Sequence, residues 1–209
     1  WLDKMSASDM VELMAKMTVS RMLERKDFSQ RHSEHKAIYQ HEFLYPLLQG
    51  YDSVALECDI ELGATDQLFN VLVGRDIMPK YGKRAQIVMT MPILEGIDAK
   101  IDAAGNVTGK KMSKSADNYI GLKEEPASMY RKVMQIDDDV IFRYFELLSA
   151  RTNAEIAELR DARKSGTTSP QEIKALFARE AITRLFDADA ATKAEAEFKK
   201  IYSADAVPD

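Results

Sequence analysis

Apolar residues recur at spacings of three and four over residues 6–25, where Met10, Leu13, Met14 and Met17 share one helical face and Glu12, Lys16 and Arg25 fall largely off it. That spacing predicts an amphipathic helix with Ser6 or Ser8 as its N-cap. Residues 26–41 are polar and aperiodic, and are expected as a surface loop or a short helix. A second helix is expected from about Ile38 or His41 to Val54, with Pro46 kinking it or marking its first turn. Alternation over residues 56–62 predicts a strand ending at Gly63, and Leu68, Phe69, Leu72 and Val73 predict a helix starting near Thr65 or Asp66. Residues 85–91 (AQIVMTM), closed by Pro92, read as a buried strand. Helix then strand, twice, points to parallel α/β.

Residues 96–109 carry Asp98, Asp102, Gly105 and Asn106, the composition of a hairpin or turn-rich loop. From Glu125 onward only helical periods occur, among them Met129, Val133 and Met134, then Phe142, Tyr144, Phe145 and Leu148, then Ile173, Leu176 and Phe177. The acidic cluster Asp137, Asp138 and Asp139 is expected to cap a helix, and Ser169 and Pro170 are placed as N-cap and first residue of another. A domain boundary is therefore expected between Gly121 and Pro126, giving an α/β part at 1–122 and an all-α part at 123–209.

The chain has 209 residues, 34 acidic and 29 basic side chains and a net charge of −5. With 45% hydrophobic residues it has the material for a core, which excludes a disordered chain. No apolar run approaches the roughly 18–20 residues that span a bilayer, so no membrane insertion is expected. The acidic balance argues against a small basic nucleic-acid module, though not against a local basic patch. One cysteine, Cys58, can form no internal disulfide and suits a reducing, cytoplasmic setting. Trp1 is an odd native start, and the chain is read as truncated at its N-terminus.

The chemistry concentrates in Gly109, Lys110, Lys111, Met112, Ser113, Lys114 and Ser115. Lysine ammonium groups offset polyphosphate charge, hydroxyls and free N–H groups donate to it, and a glycine lets such a loop close. A solvated basic loop would have the same composition, and residue types alone leave the two open. Tyr45, Gln49 and Asp52 stand at i, i+4 and i+7, one face of one helix, where three polar groups converge on one small ligand or form an exposed stripe.

Residues 111–115 read KMSKS, and the chain thereby resembles the class I aminoacyl-tRNA synthetases, whose second signature this is. Residues 45–52 (YPLLQGYD) and 63–70 (GATDQLFN) are similar to the amino-acid-pocket helix and the G-x-x-D-Q-x-x-N turn of the tyrosyl-tRNA synthetases. The resemblance implies the second half of a Rossmann-like catalytic domain followed by a helical anticodon-binding domain. It implies activation of tyrosine by ATP and transfer to tRNA(Tyr), with Mg2+ accompanying ATP and no tightly bound cofactor or dedicated metal site. By the same resemblance Tyr45 and Gln49 bind the α-amino group of tyrosine, Asp52 its phenolic hydroxyl, and Gln67 orients its carboxylate. Asp66 takes the ATP ribose, although a plain N-cap is the simpler use of an Asp there. Lys111 and Lys114 contact the phosphates, supported by Met112, Ser113 and Ser115.

The resemblance also implies a homodimer, and residues 18–31 resemble the family's interface segment, with Met17, Met22, Leu23 and Phe28 as apolar candidates. In the helical part Arg131, Lys132, Arg143, Arg160, Arg163 and Lys164 are candidate phosphate partners for tRNA. The family's H-x-G-H signature is missing: His32 and His35 form H-x-x-H, but Glu34 fills the glycine position, and with His41 they read as a solvated loop rather than a zinc site. The sequence therefore reads as a fragment lacking the first catalytic half and a small C-terminal RNA-binding domain. Two alternatives remain: a tryptophanyl-tRNA synthetase, or a non-catalytic interaction module with an uncovered sheet edge.

Overall fold

A computed structural model describes residues 1–202, and the chain divides into two compact units, Trp1–Ile93 and Leu94 onward. In the first unit, helix α1 (Ala7–Ala15) opens on Ser6, which forms a reciprocal capping box with Asp9. The expected single helix over 6–25 is broken after α1. Thr18 accepts the Arg21 N–H at 3.2 Å and starts a separate helix, α2 (Val19–Met22), because a short hydroxyl side chain competes with the helical ladder. The polar stretch after it forms α3 (Lys26–Ser33), held by one fully buried side chain, Phe28. Helix α4 (Leu44–Leu56) starts later than expected, carries Pro46 in its first turn and stops at Glu57 in a left-handed conformation.

Strand β1 (Ile60–Ala64) leads through a 3-10 turn at Thr65–Gln67 into α5 (Leu68–Ile77), and β2 (Ile87–Met91) follows. The two strands pair in parallel with Ile60 opposite Ile87 and Ala64 opposite Met91, as the α/β reading requires. β1 begins later than predicted because α4 consumes residues up to Leu56. Helices α4 and α5 approach closely because two glycines allow it. A Cβ on Gly50 would sit 3.0 Å from the Gly74 nitrogen, and one on Gly74 would sit 2.8 Å from Ser53 Oγ. The core between them holds Leu13, Met22, Leu47, Val54, Val73 and Ile77. One sheet face stays bare: Ile60, Leu62, Ile87, Met89 and Met91 are each about half exposed or more. The strand expected to be buried at 85–91 is therefore shorter and half exposed, because nothing in the first unit covers this face among the described residues.

The second unit opens with a hairpin, β3 (Lys100–Ile101) and β4 (Val107–Thr108), whose turn is built by Gly105 and by Asp102 accepting the Ala104 and Asn106 N–H groups at 2.9 Å. Five helices follow, α6 (Pro126–Gln135), α7 (Ile141–Leu148), α8 (Asn153–Lys164), α9 (Pro170–Leu185) and α10 (Ala188–Tyr202). Ser169 and Pro170 are N-cap and first residue of α9, with Glu172 closing the box; Thr152 and Glu155 do the same for α8. Each such cap is worth about 1 kcal/mol. Asp137 accepts the Asp139 N–H at 3.0 Å in the turn before α7.

The core is aromatic, with Phe177 edge-on to Phe145 at 5.1 Å and to Tyr144 at 5.9 Å. Leu94, Ile97, Ala99, Ile101, Met112 and Ile120 pack on the same core, so by packing the second unit begins at Leu94, ahead of residue 123. The cause is the hairpin, which has too little apolar surface of its own and leans on the helices.

Candidate functional site

The close α4–α5 packing leaves the opposite face of α4 for polar groups. Tyr45 is 40% exposed, Gln49 half-buried and Asp52 exposed, on the shared face their spacing dictates. The Arg25 guanidinium lies 5.1 Å from the Tyr45 ring centroid, a cation–π contact that fixes the ring. Asp52 Oδ1 accepts the Trp1 indole N–H at 2.8 Å, and the Trp1 ring packs on Tyr51 with centroids 4.7 Å apart. Trp1 is a partner that no sequence pattern indicated. Because this carboxylate accepts an indole N–H, a hydrogen bond to Asp52 alone does not separate tyrosine from tryptophan.

Asp66 and Gln67 lie in the 3-10 turn at the carboxyl end of β1, where ligands of parallel α/β sheets bind. Asp66 is exposed and does not cap: the N-cap positions are Ala64 for the turn and Gln67 for α5. Gln67 Oε1 accepts from Asn70 Nδ2 at 3.0 Å, which leaves the Gln67 amide nitrogen for a ligand carboxylate. Behind them Ser53 and Gln86 both donate to Glu61, tying α4 to the strand edges.

In the second unit the lysine-rich loop runs beside residues 94–96. Met112 N–H donates to Leu94 O at 2.9 Å, Gly96 N–H to Lys110 O at 3.0 Å, and Glu95 bridges antiparallel to Lys111. Gly109 is required by close approach, since a Cβ would lie 2.9 Å from Ala99 Cα. Ser113 caps a short 3-10 turn, Lys114–Ala116, and its hydroxyl lies 3.4 Å from that of Ser115. Met112 faces the helical core, whereas Lys110, Lys111, Lys114 and Ser115 are exposed. The result is a backbone-anchored loop with three exposed lysines, the charge a polyphosphate needs.

Other candidates fare differently. Met22 and Phe28, expected at a dimer interface, are 2% and 0% exposed in the first unit's own core, which leaves Met17 and Leu23 half-buried. Lys132 pairs with Glu124 at 2.6 Å, Arg143 with Glu95, Arg160 with Glu146 and Arg163 with Asp139. Arg131 and Lys164 carry no ion pair among the described residues. Among the described residues no three His, Cys, Asp or Glu side chains are grouped to hold a metal ion, and no helix is long and apolar enough to cross a membrane.

The family described as tRNA synthetases class I (W and Y) matches residues 1–203. The chain is 48% identical over its whole length to a tyrosine–tRNA ligase of Desulfotalea psychrophila, of which it covers 49%, and 47% identical to one of Helicobacter pylori, of which it covers 50%. A tyrosine–tRNA ligase of Coxiella burnetii is 50% identical over 95% of the chain. The chain thus spans about half the length of the curated relatives it matches. Among solved structures, a C-terminally truncated mitochondrial tyrosyl-tRNA synthetase of Aspergillus nidulans aligns over 97% of the chain and 56% of its own, with TM-score 0.66 and 17% identity. A tyrosyl-tRNA synthetase of Archaeoglobus fulgidus complexed with L-tyrosine aligns over 90% of the chain and 62% of its own, with TM-score 0.61 and 22% identity. These structural likenesses establish the fold, a class I synthetase α/β part with a helical part.

Proposed function

We propose that this chain, which belongs to the class I tRNA synthetases of the W and Y type, forms part of a tyrosine–tRNA ligase. The observation that supports the reading is the polar face of α4, where Tyr45, Gln49 and Asp52 fall on one side of one helix, together with the Asp66–Gln67 turn at the carboxyl end of β1. The names of the relatives, all tyrosine–tRNA ligases, favour tyrosine where Asp52 alone does not.

In this reading Tyr45 and Gln49 hold the α-amino group, Asp52 accepts the phenol O–H, Gln67 directs the carboxylate and Asp66 holds the ATP ribose. A tyrosine carboxylate oxygen attacks the α-phosphorus of ATP, the bond to the bridging oxygen breaks, and pyrophosphate leaves with that electron pair. Lys111 and Lys114 stabilise the charge that develops on it, with Ser113 and Ser115 shaping the loop. A terminal ribose hydroxyl of tRNA(Tyr) then attacks the acyl carbonyl and releases AMP. Mg2+ would accompany ATP as part of the substrate and offset phosphate charge beside Lys111 and Lys114. A homodimer, tRNA contacts in the helical part and a cytoplasmic setting complete the proposal.

The test is Asp52→Ala in the full-length protein that carries this chain. Loss of a charge-assisted bond to the phenol lowers the preference for tyrosine over phenylalanine by about 10- to 100-fold. An unchanged preference removes Asp52 from the site.

A further inference from the structure

Asn118 lies three residues past the KMSKS sequence, is only 3% exposed, and uses its carboxamide on the lysine-rich loop. Its Oδ1 accepts the Ser113 N–H at 2.9 Å. Its Nδ2 donates to Asp98 Oδ1 at 2.9 Å and approaches Lys110 O and Lys111 O at 3.5 and 3.4 Å. Its own carbonyl accepts the Ile97 N–H at 3.0 Å. One buried amide therefore joins both flanks of the loop to the segment they run beside. Between the attachment points at Ser113 and Asn118, residues 114–117 are all exposed, and Asp117 turns the chain back with φ of +52°. The base of the loop is clamped while the turn that carries Lys114 is open to solvent. The clamp is fitted without slack, because a Cβ on Gly96 would fall 2.1 Å from Asn118 Nδ2 and 2.6 Å from Asp98 Oδ1.

We propose that Asn118 is the positioning residue of the lysine-rich loop, fixing the backbone of residues 110–113 so that Lys111 and Lys114 meet the leaving pyrophosphate in register. The catalytic half of this inference rests on the tyrosine-activation reading. A displacement of about 1 Å in such a group costs on the order of 100-fold in rate, which is why a buried amide that touches no substrate matters. In that reading ground-state tyrosine binding is assigned to α4 and the Asp66–Gln67 turn, which include no residue of the clamp.

The experiment uses the full-length protein with Asn118→Ala and, separately, Gly96→Ala, whose methyl group displaces the carboxamide without altering its chemistry. Two readouts are taken: the rate of tryptic cleavage after Lys110, Lys111 and Lys114, and single-turnover adenylate formation alongside the tyrosine dissociation constant. The expected result is faster cleavage at these lysines in both variants and adenylate formation slowed on the order of 10- to 100-fold, with tyrosine affinity unchanged. Unchanged cleavage in both variants overturns the clamp, whatever the reaction. Faster cleavage with an unchanged single-turnover rate, or a tyrosine affinity that falls in step with the rate, overturns its positioning role. A wild-type protein that forms no adenylate with tyrosine defeats the functional reading instead, and the cleavage readout still decides the clamp.

Discussion

Replacing Tyr144 by Phe removes one oxygen from the centre of the second unit. The side chain is 1% exposed, its hydroxyl donates to Glu95 O at 2.8 Å, and its ring lies edge-on to Phe177. The variant keeps the ring and its packing, so the loss is the hydrogen bond together with the desolvated Glu95 carbonyl left behind, about 1–3 kcal/mol. For a chain of this size each kcal/mol moves the thermal midpoint about 2–4 °C, so a fall of about 2–12 °C is expected. The same hydroxyl supplies a second, independent signature. Burial, and after it the nearby charges of Glu95 and Asp98, push the Tyr144 phenol well above its ordinary value of 10.0. A folded-state value above the unfolded one gives stability that is complete below pH 10 and is lost as pH rises toward the folded value. The wild type therefore loses about 1.4 kcal/mol per pH unit above pH 10 through this group, and the Phe variant does not. Thermal melts of both proteins at neutral pH and between pH 10 and 11 should show a gap that narrows with alkalinity. Equal midpoints at neutral pH, or a gap constant through the alkaline range, would refute the reasoning.

Two further outcomes follow from the geometry. Lys114→Ala in the full-length protein should slow single-turnover adenylate formation by on the order of 10- to 1,000-fold while tyrosine affinity holds, because the ammonium acts on charge that develops only in the transition state; an unchanged rate contradicts it. Arg31 donates to both oxygens of Glu42, at 3.1 and 2.5 Å, and with the Tyr39 N–H lowers that carboxyl from 4.5 to about 2. A depressed folded value gives stability that is complete above pH 4.5 and is lost as pH falls toward 2, so Glu42→Gln should flatten the acid limb of the stability curve in that window; an identical acid limb would exclude the pair.

How far the sequence revealed this depended on the range of the interaction. The α9 start was legible because a Ser, a Pro and a Glu within four residues satisfy the helix end by themselves. The order β1, α5, β2 was legible because apolar runs of the right length are closed by Gly63 and Pro92. The break between α1 and α2 was not, since the Met spacing continues through Thr18 while its hydroxyl captures Arg21 N–H. Helix α3 was legible only as one of two alternatives, a loop or a short helix, because a single apolar residue, Phe28, gives no period to read. The site divides in the same way. KMSKS and the face of α4 are local patterns, whereas Trp1 reaches Asp52 across 51 positions and Tyr144 reaches Glu95 across 49, and no spacing rule connects such pairs. The packing boundary at Leu94 was hidden for a related reason, because a hairpin shows its own turn residues and not the helices it leans on.

The central claim is tested most directly by amino-acid-dependent exchange of pyrophosphate into ATP, measured on the full-length protein with tyrosine and, separately, with tryptophan. The account predicts exchange with tyrosine and none above background with tryptophan. Exchange driven by tryptophan in preference to tyrosine would contradict the assignment of the α4 face, and exchange with neither would contradict amino-acid activation by this protein altogether.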